Sequence, residues 1–198
     1  MRASNQVKQL DKLGVNFIGF IYYSKSPRHL DIKTLKSLSF KTQAIKVLVT
    51  VNETTKKLLQ LSKALNCKTL QLHGKETVQQ CANLQKEGFC VIKAFAIDET
   101  FNFEALKVYK KHVDYFLFDY KGKDPGGNGL TFNWDLLSKY KLDTPYLLSG
   151  GISIEHSDTI NKSNFKNCIG YDINSKFEIS PSNKNMNLVV KFIKNINL

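Results

Sequence analysis

The chain has 198 residues, enough for one sizeable core, and its 23% charged and 42% hydrophobic content is that of an ordinary globular domain. No apolar run approaches the ~20 residues of a membrane span, and the opening MRASNQVKQLDKLG lacks the apolar core of a signal peptide. The formal net charge of +12 comes from dispersed lysines, with Arg2 and Arg28 the only arginines. Base-edge readout favours arginine, so this pattern argues against nucleic acid and for an anionic small-molecule ligand steered by positive potential.

Short β-branched or aromatic runs alternate with helical patterns along the whole chain. A first helix has Ser4 as its expected N-cap, Val7, Leu10 and Leu13 on one face, and Gly14 as its stop. Strands are then expected at Val15–Ile21, Ala44–Val51, Thr69–Leu72, Cys90–Ile97, Tyr115–Phe118, Pro145–Ser149 and Cys168–Ile173. Helices are expected at Glu53–Leu65, Glu76–Glu87, Phe103–Lys111, Ile154–Lys162 and Lys184–Ile196. Strict alternation without a low-complexity linker predicts one domain, residues 1–198, built on a parallel sheet with helical crossovers.

The chemistry-bearing segment is DYFLFDYKGKDPGGNGLTFNW, Asp114 to Trp134. An apolar strand delivers Asp119 to its C-terminal tip, and a loop with Gly126, Gly127 and Gly129 follows. A strand-tip carboxylate is how a parallel α/β enzyme presents an acid/base group, although an Asp there also commonly caps a turn. A dinucleotide fingerprint after the first strand is absent. The glycine-bearing loops come late instead, in LLSGGIS (Leu147–Ser153) and DINS (Asp172–Ser175). A phosphate site built from the last two βα loops is the habit of the (βα)8 barrel. Seven strands are countable, however, where closure at this size needs eight.

Five motifs in order carry a resemblance: GFIYYSKSPRHL (Gly19–Leu30), LQLHG (Leu70–Gly74), FLFDYKGKDPGGNGLTFNW (Phe116–Trp134), LLSGGI (Leu147–Ile152) and GYDINSKFE (Gly170–Glu178). The chain resembles the phosphoribosylanthranilate isomerases of tryptophan biosynthesis from end to end. That resemblance implies a (βα)8 TIM barrel, here with the family's first strand missing, so that seven strands leave it open between first and last. It implies an Amadori rearrangement of N-(5-phosphoribosyl)anthranilate to 1-(2-carboxyphenylamino)-1-deoxyribulose 5-phosphate, with no cofactor and no metal. The expected partner is an anionic phosphosugar, with neither nucleic acid nor membrane, for a cytoplasmic monomer or homodimer.

The resemblance also implies roles. Asp119 matches the general acid, which needs surroundings that disfavour its charge, such as an apolar, partly desolvated mouth. Arg28 matches the residue holding the anthranilate carboxylate, a task suited to a planar guanidinium. His73 and Asp172 match substrate-contacting positions. Gly150, Gly151, Asn174 and Ser175 match the phosphate loops, with Lys176 standing where the family usually has Gly. Gly126, Gly127 and Gly129 match a loop cover over the site.

The family's general base is a Cys in a Lys-x-Cys-Gly-Met-Arg segment, and here the chain begins Met1-Arg2. The expectation is therefore an N-terminally truncated barrel whose base would precede residue 1. Cys67, Cys90 and Cys168 sit at strand starts and Cys81 within a helical pattern, so all four read as structural thiols. His29, His112 and His156 likewise read as structural. Such a chain is expected to bind phosphosugar weakly and turn over little. A non-catalytic, phosphosugar-binding remnant of the same barrel is the alternative reading.

Overall fold

The computed structural model describes residues 1–120 and 134–196. Seven parallel strands form one sheet in sequence order: β1 (Phe17–Tyr22), β2 (Ile45–Thr50), β3 (Thr69–Leu72), β4 (Cys90–Ile97), β5 (Tyr115–Tyr120), β6 (Tyr146–Leu148) and β7 (Cys168–Tyr171). A short hairpin, β8 (Glu178–Ser180) and β9 (Asn183–Lys184), follows. Among the described residues β1 and β7 do not pair, so the sheet is a seven-stranded barrel open between its first and last strands.

The α-helices are α1 (Ser4–Lys12), α2 (Ile32–Ser37), α3 (Thr55–Leu65), α4 (Val78–Lys86), α5 (Ser157–Lys162) and α6 (Met186–Asn195). Short 3-10 segments at Phe103–Val108 and Trp134–Lys139 cross over where full helices would stand. Three local details depart from the sequence reading. Ala3, not Ser4, caps α1, and it makes no side-chain bond. The α2 helix was not anticipated; Asp31 caps it by accepting from the Thr34 amide. Lys184 belongs to β9, and Asn185 caps α6.

Residues alternate across each strand, so one set faces the helices and the other the barrel axis. The outer set forms the large core, with Phe20, Leu48, Leu70, Leu72, Phe116, Phe118 and Leu148 all buried beneath the helices. The inner set is small: Val47, Ile92, Ala94, Leu117 and Leu147 form a cluster, with Phe17, Val49 and Tyr115 against it.

Lys93 is an exception on the outer side. It is buried, and it donates to the carbonyls of Leu72 (3.1 Å), Gly74 (2.8 Å) and Ala94 (2.9 Å) while pairing with Glu76 at 3.2 Å. Glu76 in turn accepts from the amides of Asn52 and Gly74. A buried charge survives only when paired and fully hydrogen-bonded, and this pair ties together the loops after β2 and β3.

Side chains bridge the open seam, and the first residue lies against β1. The Met1 amine donates to the Gly19 carbonyl (2.6 Å). Gln6 of α1 donates to Asn183 Oδ1 (2.8 Å) and the Lys184 carbonyl (3.1 Å) and accepts from the Lys184 amide. Arg28, in the loop after β1, grips Glu178 at the start of β8.

Candidate functional site

The site grows out of the inner face of the strands. Leu117 is inner, so Asp119, two residues on, projects the same way near the C-terminal tip of β5. The same rule carries Leu147 to Ser149, Gly170 to Asp172, and Gln71 to His73. Three of these residues lie just beyond their strands, and each is held by one further rung of the ladder. His73 N–H donates to Thr50 O, Ser149 N–H to Phe118 O, and Asp172 N–H to Leu148 O, each at 2.8 Å. The apolar interior thus ends in a polar ring at one mouth.

Within that ring His73 Nε2 lies 3.3 Å from Asp119 Oδ2, and Gln71 Nε2 lies 2.9 Å from His73 Nδ1. Ser149 Oγ donates to Asp172 Oδ2 at 3.1 Å. Burial, and secondarily the charge of Asp119, push the Asp172 carboxyl above its ordinary range. Two interacting carboxyls and an imidazole can hold and transfer protons among themselves and to a ligand.

Arg28 and Glu178 form a side-on pair. Arg28 Nε lies 3.0 and 2.9 Å from the two Glu178 oxygens, and Nη2 lies 2.5 Å from Oε2. Lys184 Nζ stands 3.4 Å from Glu178 Oε1 and donates to Ile173 O, Asn174 O and Asn174 Oδ1. Burial pushes the Glu178 carboxyl up, but the Arg28 hydrogen bonds and the Lys184 charge outweigh it, and the net shift is downward.

The two late glycines differ in what requires them. Gly150 has φ +95°, and a Cβ there would come within 2.4 Å of the Tyr120 backbone nitrogen. Gly151 has φ +70° with open space around it. The expected helix begins later than these glycines, as a 3-10 turn at Ile154–His156 that leads into α5. Asn174 precedes a 3-10 turn at Ser175–Phe177, and Ser175 and Lys176 are exposed. Burial lowers the His156 pKa, the charge of Glu155 opposes this, and the charge of Lys176 adds to the lowering, so the charge on this loop reaches the loop after β6. Gly126, Gly127 and Gly129 lie outside the described residues.

The thiols stay away from the mouth. Cys90 and Cys168 open β4 and β7 at the opposite end, Cys67 precedes β3, and Cys81 is buried within α4. Burial pushes the thiols of Cys67, Cys81 and Cys90 up to about 11 and raises that of Cys168. His29 and His156 serve their own loops, with Nδ1 accepting from the amides of Tyr23 and Ser153. Glu178, Lys184, Gln71 and Ser149 had no assigned role in the sequence reading. The signal for Glu178 was its place as the last letter of GYDINSKFE.

Comparison with known proteins places these features in a lineage. The family model for N-(5'-phosphoribosyl)anthranilate isomerase matches residues 1–195. The chain is 37% identical over 199 aligned residues to an N-(5'-phosphoribosyl)anthranilate isomerase of Parabacteroides distasonis, covering 99% of this chain and 90% of the relative. The solved phosphoribosyl anthranilate isomerase of Thermotoga maritima is similar with a TM-score of 0.84 at 26% identity, over 98% of this chain and 94% of the other. A phosphoribosyl anthranilate isomerase in complex with reduced 1-(o-carboxyphenylamino)-1-deoxyribulose 5-phosphate shares the fold, with a TM-score of 0.81 at 23% identity and the same coverage.

Proposed function

The chain belongs to the N-(5'-phosphoribosyl)anthranilate isomerase family and is an isomerase of tryptophan biosynthesis; on that premise we propose that Asp119 is its general acid and that the mouth around it holds the substrate. The reaction is an Amadori rearrangement. Protonation of the furanose ring oxygen by Asp119 breaks the bond from that oxygen to C1 and leaves a Schiff base to the anthranilate nitrogen. Transfer of the C2 proton to a general base then gives an enolamine, which tautomerises to the ketone of 1-(2-carboxyphenylamino)-1-deoxyribulose 5-phosphate. The observation that carries the assignment is Asp119 on the inner face at the tip of β5, with His73 beside it and Asp172 coupled to it.

The other roles follow from chemistry and position. Arg28 offers a guanidinium to the anthranilate carboxylate. His73 and Asp172 contact the sugar. The backbone N–H groups of Gly150, Gly151, Asn174 and Ser175 receive the phosphate, and Lys176 adds charge where the family usually has Gly. The loop bearing Gly126, Gly127 and Gly129 covers the site. The four free thiols support a reducing cytoplasm as the compartment.

The chain as it stands has an acid but no thiol base at the mouth, and this distribution of Cys67, Cys81, Cys90 and Cys168 favours impaired turnover with binding retained. The alternative reading of the same distribution is a phosphosugar-binding barrel without catalysis. The test is an isomerase assay on this chain beside calorimetric titration with reduced 1-(o-carboxyphenylamino)-1-deoxyribulose 5-phosphate. Binding with turnover at least about a hundredfold below that of a relative with the thiol base is expected, the scale of one acid/base group. Undiminished turnover refutes the impairment, and absence of binding refutes the assigned substrate site.

A further inference from the structure

Arg28 is the proposed carboxylate-binding group, yet part of its guanidinium is already committed. Glu178 occupies the side-on edge, Nε and one Nη2 hydrogen. A guanidinium has five N–H donors in one plane. That leaves both Nη1 hydrogens and the second Nη2 hydrogen, and among the described residues none of these has a partner. Two of them form a parallel end-on pair, the geometry that takes a second carboxylate bidentately.

The Glu178 side chain is 4% exposed and the Arg28 side chain 20%, so the anchor is buried and the cation reaches the surface. Glu178 is itself held. Its Oε1 accepts from the Ser182 amide (3.3 Å), and Lys184 stands 3.4 Å away. Lys184 ties the anchor to Ile173 and Asn174, which follow β7 at the phosphate loop. A free arginine carries rotamer entropy that it loses on gripping a ligand. A side chain already fixed by a buried carboxylate has lost most of it beforehand.

We propose that Glu178 is a positioning residue for substrate recognition: it fixes Arg28 side-on so that the end-on edge of the guanidinium meets the carboxylate of the aromatic ring. The inference rests on the reading of Arg28 as the carboxylate site. It adds to that reading a residue 150 positions away that sets carboxylate selectivity without touching the ligand. Lys184 balances the anchor's charge and links the carboxylate end of the ligand site to the phosphate end.

The test compares two probes by calorimetry: reduced 1-(o-carboxyphenylamino)-1-deoxyribulose 5-phosphate, and the same compound lacking the ring carboxyl. The unaltered chain is expected to prefer the carboxylated probe. Glu178→Gln removes the charge and keeps the shape; it should weaken the carboxylated probe about tenfold, the worth of one charge-assisted hydrogen bond, and change the other less than about twofold. Glu178→Asp retains the charge but retracts Arg28 by one methylene, and it should give the same selective loss should the Gln variant not fold. Equal weakening of both probes, or of neither, overturns the positioning role. No preference in the unaltered chain overturns the Arg28 reading, and the positioning role falls with it.

Discussion

His73 Nε2 stands 3.3 Å from Asp119 Oδ2, while the opposite ring nitrogen meets the side-chain amide of Gln71 at 2.9 Å. An amide N–H donated to Nδ1 leaves the proton of a neutral imidazole on Nε2, directed at the aspartate. Asp172 lies near enough that, after burial, the charge of Asp119 helps to raise its pKa. The acid of the proposed reaction therefore has a hydrogen-bond donor beside it and a second carboxyl within its electrostatic reach. Asp119→Asn should lower any measurable turnover at least about a hundredfold, the usual worth of a general acid, and leave the Kd for the reduced product analogue within about threefold. Loss of binding in parallel with turnover would make Asp119 a ligand-binding residue and not the acid.

Asp172 should cost the fold stability. Burial and the Asp119 charge raise its pKa in the folded chain. The native state therefore holds this proton at pH values where the unfolded chain has lost it. Stability falls as pH rises from the ordinary carboxylate range through the raised value, and the cost is complete above it. Asp172→Asn is expected to raise Tm at neutral pH, with the gain shrinking in acid, while weakening analogue binding. Calorimetric scans across the acid-to-neutral range test it, and a pH-independent gain would contradict the assignment.

Lys93 and Glu76 are 2% and 1% exposed at their side chains. Lys93→Met fills the space but leaves a buried carboxylate without its cation, and should cost about 3 kcal/mol in urea unfolding. The double variant Lys93→Met/Glu76→Gln should recover part of that loss. If the single variant costs nothing, Glu76 is not held as a buried anion.

Gly150 and Gly151 should separate under the same substitution. Gly150→Ala meets both a positive φ and the Tyr120 backbone, and a cost of about 2 kcal/mol or more is expected. Gly151→Ala has room and should cost about 1 kcal/mol, the left-handed backbone alone. Denaturant midpoints for the two variants give the comparison; equal costs would mean that the Tyr120 contact relaxes freely.

Much of the fold was legible because its elements have short-range signatures. The strand at Tyr115 and the loops at LLSGGI and GYDINSKFE are marked by apolar runs and by residues that must turn. All seven strands fell where periodicity put them, and β5 ran two residues further, to Tyr120. The misreadings were local and cooperative. The Ser4 side chain does not cap α1, and a crossover expected as a helix at Phe103–Lys111 tightened into a 3-10 segment at Phe103–Val108. Such ends depend on how the chain packs over the sheet, which local propensity does not encode.

By itself the sequence determined the alternation, the parallel order, the strand-tip aspartate and the distribution of thiols, since each is a property of one segment and its nearest neighbours. Only the tertiary structure decided what those residues meet. It set His73 against Asp119 across β4, and it closed Arg28 onto Glu178 across a seam where no strands pair. It also showed that Gly150 is needed for packing against Tyr120. These are contacts between residues far apart in the chain. They exist because a curved parallel sheet brings the C-terminal ends of its strands to one mouth, and no local pattern specifies which side chains touch there.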